Sequence, residues 1–380
     1  MLKFRDKTIL IISQQDWGKM FISKHHYAVA LAKLGNRVFF LNSPKKTGSL
    51  KSGGVQLEST EYDNLQVVRH RFFYPYIIKH KFKALHIFLL KYHLKKVIHK
   101  IGGKVDIVWS FDVSDTISLK SFSDDCFKIF MPVDEPRMPA VGAETADVLL
   151  SVTNEIINKY NTGNLPAMFV NHGVSDVFIN EDGDILNNEQ RQVGLSGNFL
   201  RPDIDWVTLK NIIAGNPGVI FNFWGAYDNK DANLSAAADT VELSPKEELA
   251  SLQNVHFHGA VSATVLAESL KKMDCFLICY DIAKDQSGGT NYHKVLEYIA
   301  TGNVVVSNNI TTYANLPELV TMPAERNNTQ LPALFTTVIN NLDSYNSQEK
   351  RRVRVKYAKE HTYAGNISRI EKFITEVVGK

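Results

Sequence analysis

DQSGGTNYHKVLEYIATGNVVVS, residues 285–307, reads as a small-residue loop, a short helix and a buried strand. Ser287, Gly288, Gly289, Thr290 and Asn291 are turn formers, and Thr290 or Asn291 can cap a helix. Residues 292–301 carry Val295, Leu296, Ile299 and Ala300 at helical spacing. Gly302 stops the helix, and Val304 to Val306 form the β-branched run of a buried parallel strand. Such a loop leaves backbone N–H groups free at the positive end of a helix dipole, which suits a phosphate. Glu297, one turn past the cap, is placed to accept hydrogen bonds from a ribose. A plain turn before a helix satisfies the same residues.

The surrounding chain has 380 residues, which predicts two domains. Hydrophobic residues make up 44% and charged residues 22%, enough apolar material for a core in each. Three cysteines, Cys126, Cys275 and Cys279, exclude a disulfide framework, and no His/Cys cluster has zinc-site spacing. The N-terminus runs directly into a strand without the apolar length of a signal peptide, and no apolar run approaches the roughly 18 residues of a membrane span. A reducing cytoplasm is the expected compartment.

Periodicity places a strand at 8–13, a helix at 23–34 and a strand at 37–41, the β-loop-α-β opening of a doubly wound α/β domain. A helix at 83–99 and strands at 105–110, 127–131, 148–151 and 167–170 continue it, with a helix at 155–160. Residues 175–190 are polar and aperiodic and read as a linker. A second α/β unit begins at 192–197, with a helix near 206–213 and a strand at 219–224. Residues 228–238 read as a loop, and 350–378 as a charged helical tail.

The net charge of +3 is unevenly spread. Residues 69–104 hold ten Lys/Arg, no Asp or Glu, and seven interleaved Phe or Tyr. The stretch suits a solvated basic face, an anionic membrane surface or an anionic acceptor. No nucleic-acid-binding motif accompanies it.

KVLEYIATGNVVVS resembles the donor-nucleotide segment of GT-B glycosyltransferases, and NVHFHGAVSATVLAESLKKMDCFLICY, residues 254–280, resembles the segment before it. FMPVDEPRMPAVGAETADVLLSVT, residues 130–153, is similar to a pattern of bacterial polysaccharide and teichuronic-type glycosyltransferases. TILIISQQDW and IVWSFD resemble acceptor-side strand ends, and the Asn171-His172-Gly173-Val174 turn resembles the end of the first half of these enzymes. The resemblance implies an α/β GT-B fold, with two Rossmann-like doubly wound domains facing a cleft. The acceptor-binding domain would span 1–178 with a C-terminal helix at about 362–380 crossing back to it. The donor-binding domain would span 179–361.

It further implies sugar transfer from a UDP- or GDP-sugar to a glycan or polyprenyl-diphosphate-linked acceptor, without a metal or other cofactor. Glu297 would hold the ribose, and Gly288, Gly289, Thr290 and Asn291 the diphosphate or sugar, with Lys294 reaching the phosphates. Gly197 and Asn198 match the turn after the first donor-domain strand, with Arg201 a candidate diphosphate clamp. Gly225, Tyr227, His258, Gly259 and Val261 follow the next two strands, where the base would lie. Asp134, Glu135 and Asp16 are the acid/base candidates, with Asp112, His25 and His26 also near strand ends. The chain departs from the pattern twice. Gly289 stands where retaining members carry the first of two glutamates, and Asn198 stands where an arginine is common. Asp281 and Asp285 are carboxylates near the departure. A nucleotide-sugar epimerase and a non-catalytic nucleotide-sugar-binding subunit are alternatives on the same fold.

Overall fold

A computed structural model describes residues 3–18, 21–45, 50–135, 141–161, 163, 165–181, 188–227 and 248–378. The chain divides into two compact units, Met1–Gly173 with Tyr363–Lys380, and Val174–Thr362. The expected boundary at 178/179 is thereby corrected. Phe178 and Ile179, at the start of the expected linker, are buried in the core of the second unit. Residues 182–187 of that linker, and the whole of the expected loop at 228–238, lie outside the described residues.

The first unit is built on strands β1 (Thr8–Ile12), β2 (Arg37–Leu41), β3 (Val55–Ser59), β4 (Leu65–His70), β5 (Ile107–Ser110), β6 (Phe127–Phe130), β7 (Val148–Ser151) and β8 (Ala167–Phe169). They lie in the order β3-β4-β2-β1-β5-β6-β7-β8, all parallel except β3, which pairs antiparallel with β4. β1, β5 and β7 are buried at every position, as parallel strands covered on both faces must be. The β3–β4 hairpin is absent from the sequence reading. β3, VQLES, is a half-exposed edge strand whose polar residues hide its period. The helix Tyr363–Val378 buries Ile367, Ile370 and Ile374 in this core, and its Asn366 amide donates to the Tyr27 hydroxyl at 3.1 Å.

The helix Lys83–Lys100 buries His86, Leu90, His93, Leu94 and Val97. Helical spacing alone would put Ala84, Ile87, Phe88, Leu94, Val97 and Ile101 on one apolar face, but Ala84 is exposed and Phe88 is 69% exposed. Two histidines take their places. His70 Nδ1 lies 2.9 Å from His93 Nε2, His70 Nε2 lies 3.0 Å from the Asn42 carbonyl, and His86 Nδ1 lies 3.2 Å from the Tyr74 hydroxyl. Burial pushes His70 down to about 3 and His93 to about 4, so both are neutral core residues. The cations of the stretch remain outside.

The second unit holds β9 (Gln192–Ser196), β10 (Ile220–Trp224), β11 (Val255–Gly259), β12 (Cys275–Ile278) and β13 (Val304–Ser307). Their order is β11-β10-β9-β12-β13, all parallel. The helix Trp206–Gly215 starts where the Asp205 side chain accepts the Thr208 N–H at 3.0 Å, and Asn216 closes it by donating to the Ile212 carbonyl at 2.7 Å. Sequence-adjacent strands run one way from β9 and the other way from β12. The crevice beyond the carboxyl ends of β9 and β12 is therefore the topological switch point, where open α/β sheets bind ligands.

Candidate functional site

At this switch point β9 ends in Ser196-Gly197 and β12 leads into Tyr280. Lys294 fills the space between them. It is 7% exposed and donates to the Ser196 carbonyl at 2.6 Å and the Tyr280 hydroxyl at 2.5 Å, with its ammonium 4.9 Å from the Tyr280 ring centre. The Arg201 guanidinium lies 5.0 Å from the same ring. Two cations thus flank one aromatic ring. Gly197 has φ +146°, and a Cβ there would come 2.5 Å from the Lys294 ammonium. Gly225, at the end of β10, has φ +132°, and a Cβ there would fall 1.7 Å from the Gly197 carbonyl oxygen. The two glycines let the ends of neighbouring strands meet.

The loop after β12 is organised by Asp285, whose side chain is buried. It accepts the Ser287 N–H at 3.0 Å, the Ser287 hydroxyl at 2.7 Å, the Gly289 N–H at 3.0 Å and the Tyr292 hydroxyl at 2.7 Å. These bonds outweigh burial and hold its carboxyl below the usual range. The expectation that the loop amides stand free for a phosphate is therefore corrected. The Gly288 N–H donates to the Asp285 carbonyl at 2.8 Å and the Thr290 N–H to the Ser287 carbonyl at 3.3 Å. Gly288 and Gly289 have φ +59° and +67°, and a Cβ on Gly289 would lie 3.1 Å from the Asn309 carbonyl oxygen. The fold of the loop alone requires glycine at 289. Thr290 and Asn291 are buried in it. The helix behind it is Lys294–Ile299, shorter than expected.

Arg201 is not a free clamp. It pairs with the Asp203 carboxylate and lies 3.3 Å from Asp285 Oδ1, and these partners raise its pKa. Asn198 turns its side chain to accept the Leu200 N–H at 3.0 Å. Glu297 is half-buried, beside Lys294, and makes no hydrogen bond to a described residue. Burial pushes its carboxyl up to about 7, with the Lys294 charge pulling it back. It is an acceptor held open in a crowded site.

His258 and Tyr227 form a second group at the ends of β10 and β11. The His258 Nε2 lies 2.9 Å from Asn222 Oδ1 and its ring stacks 4.8 Å from Trp224. Tyr227 packs 5.4 Å from Phe257, and Val261 is 38% exposed.

In the first unit the acid/base candidates separate. Glu135 accepts an ion pair from Lys159, and Asp16 one from Lys45 together with the Ser43 N–H at 3.1 Å. Asp134 is exposed, with no hydrogen bond to a described residue, and its charge acts on the buried Lys24 ammonium. Asp112 is saturated by five donors from Gln14, Ser114, Thr116 and Ile117. His25 caps the turn before its own helix, and His26 stacks 4.7 Å from Tyr363. Lys24, Asp203 and Tyr280 are not singled out by the sequence, because their roles depend on contacts across the fold. Asp285 was noticed only as a spare carboxylate.

No protein-family model matches the sequence, and no curated protein does. Solved structures do match. HepE of Anabaena, in complex with UDP and glucose, aligns with a TM-score of 0.65 at 14% identity over 98% of this chain and 100% of its own. Sucrose-phosphate synthase of Thermosynechococcus elongatus aligns at 0.64 and 13% over 98% and 99%. The lipopolysaccharide outer core galactosyltransferase WaaB aligns at 0.57 and 13% over 97% and 99%. The fold of this chain is therefore that of the GT-B glycosyltransferases.

Proposed function

We propose that this protein transfers a sugar from a nucleotide diphosphate sugar to a glycan or lipid-linked acceptor in cell-surface polysaccharide synthesis. The observation that carries the reading is the switch-point constellation of the second unit. An open acceptor, Glu297, stands beside a buried cation, Lys294, at the crevice where such sheets bind ligands. A ribose diol offers two donors to a carboxylate, and a diphosphate offers its charge to an ammonium. HepE, with the same fold, is seen with UDP-glucose.

In this proposal Lys294 neutralises charge developing on the leaving diphosphate, without a metal. Asp134 takes the proton of the acceptor hydroxyl as the sugar bonds to it. The enzyme works in the cytoplasm at the inner membrane face, where a polyprenyl-linked acceptor would be carried. Ile77, Phe82, Leu85, Phe88 and Tyr92 are 44–69% exposed, beside Lys81, Lys83, Lys91, Lys95, Lys96 and Lys100. That pattern fits insertion of aromatics into an anionic surface. Among the described residues no helix is long and apolar enough to cross a membrane.

The test is release of UDP or GDP from a panel of nucleotide sugars, with and without cell-envelope acceptor extract. Acceptor-dependent release supports the proposal. A sugar epimer formed without acceptor supports an epimerase instead, and nucleotide binding without any turnover supports a binding subunit.

A further inference from the structure

We infer that a cavity in the first unit takes an anion-bearing pyranose, a hexuronic acid or a sugar phosphate, as the acceptor end of the reaction proposed above, on which this assignment rests. The cavity has a volume of about 590 Å³ and lies beyond the carboxyl ends of β1, β2, β4 and β5. That volume is in the range of small-molecule sites. Its wall includes Phe72, Tyr74 and Tyr76, and the first two rings stack 4.9 Å apart. Aromatic faces suit the C–H face of a pyranose, and the hydroxyls and amides of Ser13, Asn42 and Thr116 suit its hydroxyl groups.

Charge selects among sugars. Among the described residues, the charged side chains lining the cavity are Lys45, Arg71 and Asp112. Asp112 has its oxygens occupied by the five donors described above, so it is poorly available to a neutral sugar's hydroxyls. Lys45 is neutralised by Asp16. Arg71 donates to the Leu50 carbonyl at 3.1 Å and has no carboxylate partner among the described residues. Lys79 is engaged by neighbouring residues and lies near Asp115. It donates to the Ser114 carbonyl at 2.5 Å, the Thr116 hydroxyl at 3.0 Å and the Tyr76 hydroxyl at 3.3 Å. The cavity is therefore lined by a guanidinium with no carboxylate partner among the described residues, which favours a carboxylate or phosphate held through two N–H bonds.

Saturation-transfer NMR titrations of the full chain with glucose, glucuronate and glucose 6-phosphate, without nucleotide, test this. The expected result is at least tenfold tighter binding of one or both anionic sugars than of glucose, and the one that binds identifies the anion. The preference should shrink with added salt and disappear in Arg71→Gln. Equal binding of all three sugars, or an undiminished preference in a folded Arg71→Gln, would overturn the inference. So would inorganic phosphate binding as tightly as glucose 6-phosphate. If Arg71→Gln does not fold, the salt series on the native chain decides, because a salt-independent preference contradicts a charge-based one. UDP binding is measured on the same samples. Its failure alone would count against the nucleotide site and leave the cavity result standing.

Discussion

The Lys294 ammonium donates to the carbonyl oxygen of Ser196 at 2.6 Å. A residue of the donor-like segment is thereby fixed to the end of β9, nearly a hundred residues earlier in the chain. The bond keeps a buried cation at the switch point, and Gly197 leaves room for it, because a Cβ there would come 2.5 Å from the ammonium.

Gly225→Ala is expected to destabilise the second unit by about 3 kcal/mol, combining a left-handed backbone with overpacking against the Gly197 carbonyl. Gly288→Ala meets no atom within 4 Å and carries only the left-handed cost of about 1–2 kcal/mol. Calorimetric melting of the two variants checks the ranking. Equal melting temperatures would contradict the close approach of the strand ends. Gly289→Val should also melt lower, so stability is lost there along with any ligand binding.

Asp134→Asn is expected to lower turnover by about a hundredfold to ten-thousandfold while leaving nucleotide affinity near normal. Glu135→Gln should act through its lost Lys159 pair and cost far less. Steady-state kinetics with direct nucleotide titration separates the two. A larger loss in Glu135→Gln than in Asp134→Asn would move the base to Glu135.

Acid should loosen the protein. His70 and His93 are held down to about 3 and 4, and burial holds His26 and His172 at about 4. Their unfolded counterparts titrate near 6.5. Above that pH neither state binds these protons, so the histidines contribute no slope. Below it the unfolded chain binds protons that the folded chain excludes, so stability falls as pH falls. The slope reaches about 1.4 kcal/mol per pH unit for each such histidine. Urea midpoints from pH 8 to pH 5 read this directly, and a midpoint that does not drop would show that the histidines are not buried.

Much of this architecture was legible in the sequence. The apolar runs of β1 and β13 read as buried strands, and Gly302 marks the helix end before β13. The resemblance pointed to Glu297 and Lys294. The β3–β4 hairpin was not legible, because an edge strand with one solvated face carries weak alternation. The burial of His70, His86 and His93 within 69–104 was not legible, because their partners are brought to them only by the fold. The loop after β12 was misread for a related reason. Only the three-dimensional position of Asp285 shows that the loop's amides are already taken.

The exposed aromatics and lysines of residues 77–100 should give reversible attachment to anionic vesicles. Each basic residue near such a surface contributes about 1 kcal/mol before screening. Sedimentation should show binding to anionic but not neutral vesicles, weaker at high salt and weaker in Phe82→Ser/Phe88→Ser. Binding that ignores both lipid charge and salt, or no binding at all, would leave this face merely solvated.

The central claim is that Glu297 and Lys294 hold the nucleotide end of the donor. Isothermal titration of UDP and GDP into the native protein and Glu297→Ala, from pH 6 to pH 8, tests it most directly. The ribose bonds need the ionised carboxylate, and burial places its titration at about 7, so native affinity should rise with pH across this range. The variant should lose about 1.5–3 kcal/mol for each charged hydrogen bond removed and lose that pH dependence. Unchanged affinity and an unchanged pH profile in a folded Glu297→Ala protein would contradict the account.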